Sequence, residues 1–242
     1  MTGTYSLGGV NVEIEFLYRK AYDFCADYLT DATSEICIVM KPEDIEHERT
    51  IAKQVAEREG TSGIISDENL EITAVYRKIA EKLTESGVLL MHGSAIAVDG
   101  SGYLFTAKSG TGKSTHTRLW REMLGNRAVM INDDKPLIRI SENGCATAYG
   151  TPWNGKHRLA NRIGIPLKAI CILQRSKENN IYKISKTEAY PMLLQQIYRP
   201  EDADRLQLML QLIDRMQVDY WRLGCNMEPD AAETAYRAMS GT

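Results

Sequence analysis

The sequence predicts an α/β fold built on a mixed, partly antiparallel sheet. Apolar strings of strand length alternate with stretches whose apolar residues recur at helical spacing. The string Tyr103–Thr106, which runs into a glycine-rich turn, is preceded by Ala95–Val98 across Asp99-Gly100-Ser101-Gly102, and so tight a connection makes the pair antiparallel. At 242 residues and 43% hydrophobic content, the chain can bury the core of one large domain or two small ones.

Tyr5–Leu7 and Val10–Phe16 flank Gly8-Gly9. Val12, Ile14 and Phe16 alternate with Asn11, Glu13 and Glu15, which predicts a hairpin with one buried face. Glu35–Met40 is a further short strand. Pro42, at a tolerated first-turn position, opens a helix to about Glu59. Asp67 is placed to cap the next helix, whose Leu70, Ala74, Ile79, Ala80 and Leu83 share one face. Val88–Met91 leads into the hairpin already described, and Ser114–Leu124 reads as a helix stopped by Gly125. Ala128–Ile131 is a buried strand that delivers Asn132-Asp133-Asp134. Strands around 136–140 and 167–174 follow, with turns at Glu142-Asn143-Gly144 and Asn179-Asn180. The last third is more helical, with spans near 186–198, 200–216 and 229–239 and a short strand near 219–223. Residues 1–85 are expected to form an N-terminal α/β region and residues 86–242 the domain that carries the motifs below, with no flexible linker between them.

Twenty-nine basic residues against 32 acidic ones give a net charge of −3, which argues against a nucleic-acid partner. The apolar runs are too short to span a bilayer, and the first residues do not read as a secretory signal, so no membrane association is expected. The five cysteines are scattered without a C-x-x-C pair, which predicts buried, reduced thiols in a cytoplasmic protein.

The central motif is Ala107-Lys108-Ser109-Gly110-Thr111-Gly112-Lys113-Ser114-Thr115. It matches the P-loop pattern G-x-x-x-x-G-K-[ST] at every fixed position except Ala107. Small residues let the backbone wrap a polyphosphate with its N–H groups turned inward, so residues 109–115 are the expected nucleotide-binding set. Lys113 is expected to reach the β- and γ-phosphates, and the Ser114 hydroxyl to ligand Mg²⁺. A glycine-serine turn ending by chance in Lys-Ser would lack the strand before and the helix after. Ala107 fits if its φ is negative.

Asp133 and Asp134 lie twenty residues beyond Lys113, a gap that fits one helix and one return strand. One carboxylate there suits Mg²⁺, and the other suits the proton of an attacking hydroxyl. An ordinary Asp-rich turn ahead of Pro136 would look the same in isolation. His92 is either structural or close to the γ-phosphate. The segment 150–158, Gly-Thr-Pro-Trp-Asn-Gly-Lys-His-Arg, is either a donor cluster for a transferring phosphoryl group or a solvated basic loop anchored by Trp153. His116 and Arg118 are expected beside the nucleotide or in solvent rather than in the chemistry.

The run from Met91 to Asp134 resembles the HPr kinase/phosphorylase family, within the group that includes PEP carboxykinases. The matching features are His92-Gly93, the strand hairpin, Ser109-Gly110-Thr111-Gly112-Lys113-Ser114 and the Asp133-Asp134 pair. The resemblance implies a P-loop core with an antiparallel component, Mg-ATP as co-substrate and phosphorylation of a serine-type hydroxyl. It also implies Asp133 as the proton acceptor, Asp134 at the metal with Ser114, and His92 as the active-site histidine. Ala107 departs from the family glycine, and residues 150–156 resemble a subgroup whose substrates differ. The acceptor is therefore expected to be a serine-bearing protein or peptide, and a homo-oligomer is compatible with the pattern. The alternatives are a small hydroxylated metabolite as acceptor, or a non-catalytic nucleotide sensor. A PEP carboxykinase would need a much longer chain.

Overall fold

The computed structural model describes residues 1–61 and 64–241. The N-terminal hairpin pairs β1 (Thr2–Leu7) with β2 (Val10–Glu15) in antiparallel register. Gly8 and Gly9 both have positive φ, 62° and 75°, as a two-residue loop matched to strand twist requires. The short helix α1 (Arg19–Phe24) precedes β3 (Ile36–Val39), which joins β2 in parallel. Helices α2 (Pro42–Glu59) and α3 (Asp67–Thr84) follow. Ser66, not Asp67, is the N-cap of α3; Asp67 is the first helical residue and its carboxylate pairs with Arg49. The five apolar positions expected on one face of α3 are all buried.

The larger sheet is built from β4 (Val88–Leu90), β5 (Ser94–Val98), β6 (Ser101–Thr106), β7 (Ala128–Asn132), β8 (Leu137–Ile140), β9 (Ala146–Tyr149), β10 (Gly164–Arg175), β11 (Asn180–Ile184) and β12 (Asp219–Cys225). Its main path runs β4-β8-β9-β10-β6-β5-β7, with β12 and then β11 branching from β10. The first residues of β10 run antiparallel to β9; beyond a bulge near Lys168 the strand lies parallel to both β6 and β12. The hairpin β5–β6 is antiparallel, so the sheet is mixed, as expected.

Helices α4 (Lys113–Leu124) and α7 (Pro229–Ser240) cover one face of the central strands. Trp120, Ala232 and Met239 pack there on Ile96, Phe105 and Cys171. Helices α5 (Lys186–Gln196) and α6 (Ala203–Arg215) cover the other, with Leu193, Met209 and Ile213 packed on Ala95, Leu104 and Ile170. A third cluster joins the N-terminal sheet and α3 to Val88 and Leu90 of β4 and Leu137 of β8, so packing is continuous across residue 85.

The cysteine expectation is corrected in part. Cys25 and Cys171 are buried, but Cys37 and Cys145 are exposed. Cys37 sits in an apolar string, yet β3 is an edge strand, and the pleat turns alternate side chains outward. Among the described residues no helix is long and apolar enough to cross a membrane.

Candidate active site

Strand β6 ends at Thr106, and residues 107–112 turn into the N-terminus of α4. Ala107 is buried, and it is not among the residues with positive φ, so its Cβ costs the turn no strain. The left-handed backbone falls instead on Gly110 and Gly112, with φ of 73° and 118°. The first N–H groups of a helix lack partners within it; here His116 N is bonded back to Gly112 O at 2.9 Å. Thr111 Oγ1 donates to Lys108 O at 2.8 Å and closes the turn. Arg175, at the end of β10, donates to Gly110 O at 2.5 Å. Lys113 lies back over the turn, Nζ to Ala107 O at 3.1 Å, and is only 9% exposed. Burial, then nearby Lys135, lowers its pKa, against the pull of Asp134 and Asp133. Ser109, Gly110 and Ser114 are exposed, while Thr111, Gly112 and Thr115 are half-buried.

Strand β7 brings Asn132, Asp133 and Asp134 back beside this helix end. Asn132 Oδ1 accepts from the backbone N–H of Asp134 and of Lys135 at 2.8 and 2.7 Å, which bends the chain sharply. Asp133 is buried, and Ser94 Oγ donates to its Oδ1 at 2.6 Å. Ser94 also lies 2.8 Å from Thr117 Oγ1, which bonds carbonyls in the first turn of α4. Asp133 and the helix that starts at Lys113 are thus tied by two hydroxyls.

His92 lies between β4 and β5, its Nδ1 2.9 Å from Gln196 Oε1 and its Nε2 3.4 Å from Asp134 Oδ1. Burial first, then Lys135 and Lys113, lowers its pKa to about 4. At neutral pH the ring is uncharged, so its approach to Asp134 is not an ion pair. Lys135 Nζ is 3.8 Å from the same Asp134 oxygen and 5.9 Å from the centre of the Tyr76 ring. The structure therefore brings together Lys113, His92, Asp133 and Asp134. It adds Ser94, Lys135, Gln196 and Arg175, which sequence patterns do not single out as chemical groups.

The segment 150–158 is anchored rather than loose. Thr151 Oγ1 donates to Lys135 O at 2.8 Å, and Asn132 Nδ2 donates to Thr151 Oγ1 at 2.9 Å. Trp153 donates from Nε1 to Ile72 O at 3.1 Å, and its ring packs against Phe24 and Tyr76. Gly155 lies against the Asp133-Asp134 turn, while Lys156, His157 and Arg158 are exposed. His116 is bonded to the turn through its backbone, but its side chain is not in solvent and packs on the sheet rather than lining the turn. It is 2% exposed, its Nε2 accepts from Trp120 Nε1 at 3.1 Å, and it packs on Phe105 because its position on α4 faces the sheet. A groove of about 660 Å³ between α2 and α3 lies apart from all these residues.

Among the described residues, no group of three or more His, Cys, Asp or Glu side chains is arranged to hold a metal alone. Ser114 and Asp134 each carry an oxygen of the kind that hard cations take as ligands.

The family described as SynChlorMet cassette protein ScmC matches residues 65–222, which takes in every residue of this cluster. A solved structure of the HPr(Ser) kinase/phosphatase from Coxiella burnetii is similar at 10% identity and a TM-score of 0.36, covering 63% of this chain and 99% of that one. No curated protein matches the chain.

Proposed function

The chain belongs to the family described as SynChlorMet cassette protein ScmC, and from its site we propose that it is a Mg-ATP-dependent phosphotransferase acting on a serine-type hydroxyl of a protein or peptide. The proposal includes a P-loop core of the HPr kinase/PEP carboxykinase type. One observation carries it: a buried lysine at a glycine-turned helix N-terminus shares a small volume with a buried aspartate, a second carboxylate and a neutral histidine.

In this reading, residues 109–115 cradle the triphosphate with backbone N–H groups, and Lys113 releases Ala107 O to meet the β- and γ-phosphates. Ser114 and Asp134 would hold Mg²⁺, which supplies charge neutralisation on the phosphate oxygens. Asp133 has Oδ1 committed to Ser94, so Oδ2 takes the proton of the acceptor hydroxyl. As that proton leaves, the acceptor oxygen bonds to the γ-phosphorus and the bond to the ADP oxygen breaks. His92, uncharged and with its one ring proton on Nδ1 toward Gln196 Oε1, turns Nε2 to the site as a hydrogen-bond acceptor and adds no charge beside the metal.

The test uses γ-labelled ATP with Mg²⁺ and free serine, serine peptides and HPr as acceptors. Label is expected on one class, with Lys113→Ala losing both nucleotide binding and transfer. Asp133→Asn is expected to bind nucleotide normally and to transfer about 10²- to 10⁴-fold more slowly. Undiminished transfer by Asp133→Asn removes Asp133 as the base. Tight nucleotide binding with no labelled acceptor favours a sensor.

A further inference from the structure

With Asp133 Oδ1 taken by Ser94, an acceptor hydroxyl must come to Oδ2. Gly155 stands beside that oxygen: a Cβ built on it would lie 3.8 Å from Oδ2 and 3.5 Å from Asp133 O. In the tip that follows, Lys156, His157 and Arg158 are exposed. Gly155 and Arg158 both have positive φ, 71° and 48°, so the tip turns sharply on the base held by Thr151 and Trp153. The tip itself is basic: Lys156 and Arg158 are exposed, with Asp133 and Asp134 as the carboxylates at its base.

We propose that this basic tip is the docking surface for the acceptor, and that the acceptor is a peptide or protein whose hydroxyl is flanked by acidic side chains. The inference rests on the phosphotransferase reading and specifies its substrate class. Exposed charge pairs are individually weak, but a patch of one sign steers an oppositely charged partner and fixes its register. An acceptor bearing basic flanks would be repelled by Lys156 and Arg158 at the tip.

The experiment uses the full chain with Mg²⁺ and a non-hydrolysable ATP analogue, and two fluorescent peptides, Glu-Glu-Ser-Glu-Glu and Lys-Lys-Ser-Lys-Lys. Anisotropy is expected to show binding of the acidic peptide only, weakening as salt rises. Binding is expected to be about tenfold weaker in Lys156→Glu/Arg158→Glu. Nucleotide affinity, measured in parallel, is expected to be unchanged in that variant. A fall in nucleotide affinity instead assigns the tip to the triphosphate and overturns the proposal. Equal binding of both peptides, or binding of neither, also overturns it. Labelling both peptides with γ-labelled ATP separates the two levels. Label on both at equal rates keeps the kinase and removes the acidic preference, whereas acidic binding without label keeps the surface and removes the kinase.

Discussion

Ala107 and Gly112 bracket one turn with opposite backbone demands. Ala107 sits at negative φ, so Ala107→Gly is expected to lower stability by about 0.5–1 kcal/mol through the greater freedom of the unfolded chain. Gly112 is at φ 118° in open space, so Gly112→Ala meets no neighbour but is strained in its own backbone. It is expected to cost about 1 kcal/mol or more by chemical denaturation, and to weaken nucleotide binding. Glu71 on α3 is a second residue with a sharp expectation. Its two oxygens accept from Leu17 N and Tyr18 N at 2.6 and 2.9 Å, in a fully buried setting at the start of α1. Glu71→Gln would set an amide N–H₂ against one of those donors, and a loss of about 1–3 kcal/mol is expected. At this scale, the residues that lie in local patterns were legible: Lys113 behind its glycines, Asp133 and Asp134 at a strand end, His92 beside Gly93. Those whose meaning lies in a distant partner were not. Ser94 meets Asp133 across 39 positions, Arg175 meets Gly110 across 65, and His92 meets Gln196 across 104.

Among elements, the segment 150–158 shows how a loop is fixed in place by distant partners. Its Trp153 was legible as a packing anchor. The surface it anchors to, Phe24, Ile72 and Tyr76, belongs to α1 and α3 and could not be named from spacing. Trp153→Phe keeps an aromatic ring and loses the bond to Ile72 O, at a cost of about 1 kcal/mol. Trp153→Ala also removes the ring contacts, and roughly 2–4 kcal/mol is expected by denaturant titration. If the loop positions the acceptor, transfer should fall further in Trp153→Ala than its fraction of unfolded protein explains. The elements missed by pattern alone share a cause. Helix α1 is six residues with only Ala21 buried, and β9 and β11 are short strands defined by their neighbours rather than by a strong apolar alternation. The hairpin β5–β6 was legible because its turn and both apolar strings are contiguous.

At the level of the molecule, β10 could not be read as it folds, because its two halves answer to different neighbours: Tyr149 on one side of the bulge, Tyr103 and Asp219 on the other. The same long-range logic governs the N-terminal 85 residues. They lend Val88, Leu90 and Leu137 their packing partners and provide the seat of Trp153. A chain trimmed to residues 86–242 is therefore expected to unfold at lower denaturant than the full chain and to expose apolar surface to a hydrophobic dye. The full chain is expected to unfold in one transition seen alike by tryptophan emission and circular dichroism. Two separated transitions would show that the shared cluster does not couple the parts.

The three tryptophans give this architecture an optical signature. Trp120 is sealed in the core beside Phe105, and Trp221 is half-buried in β12, remote in sequence from the loop. Trp153 alone rides on the segment that flanks Asp133. Its emission should shift or quench when an acceptor lodges beside Gly155, and the change should vanish in Trp153→Phe. Under the proposed reading, Trp153 is a built-in reporter of acceptor occupancy, and a titration in a cuvette would follow capture without a label.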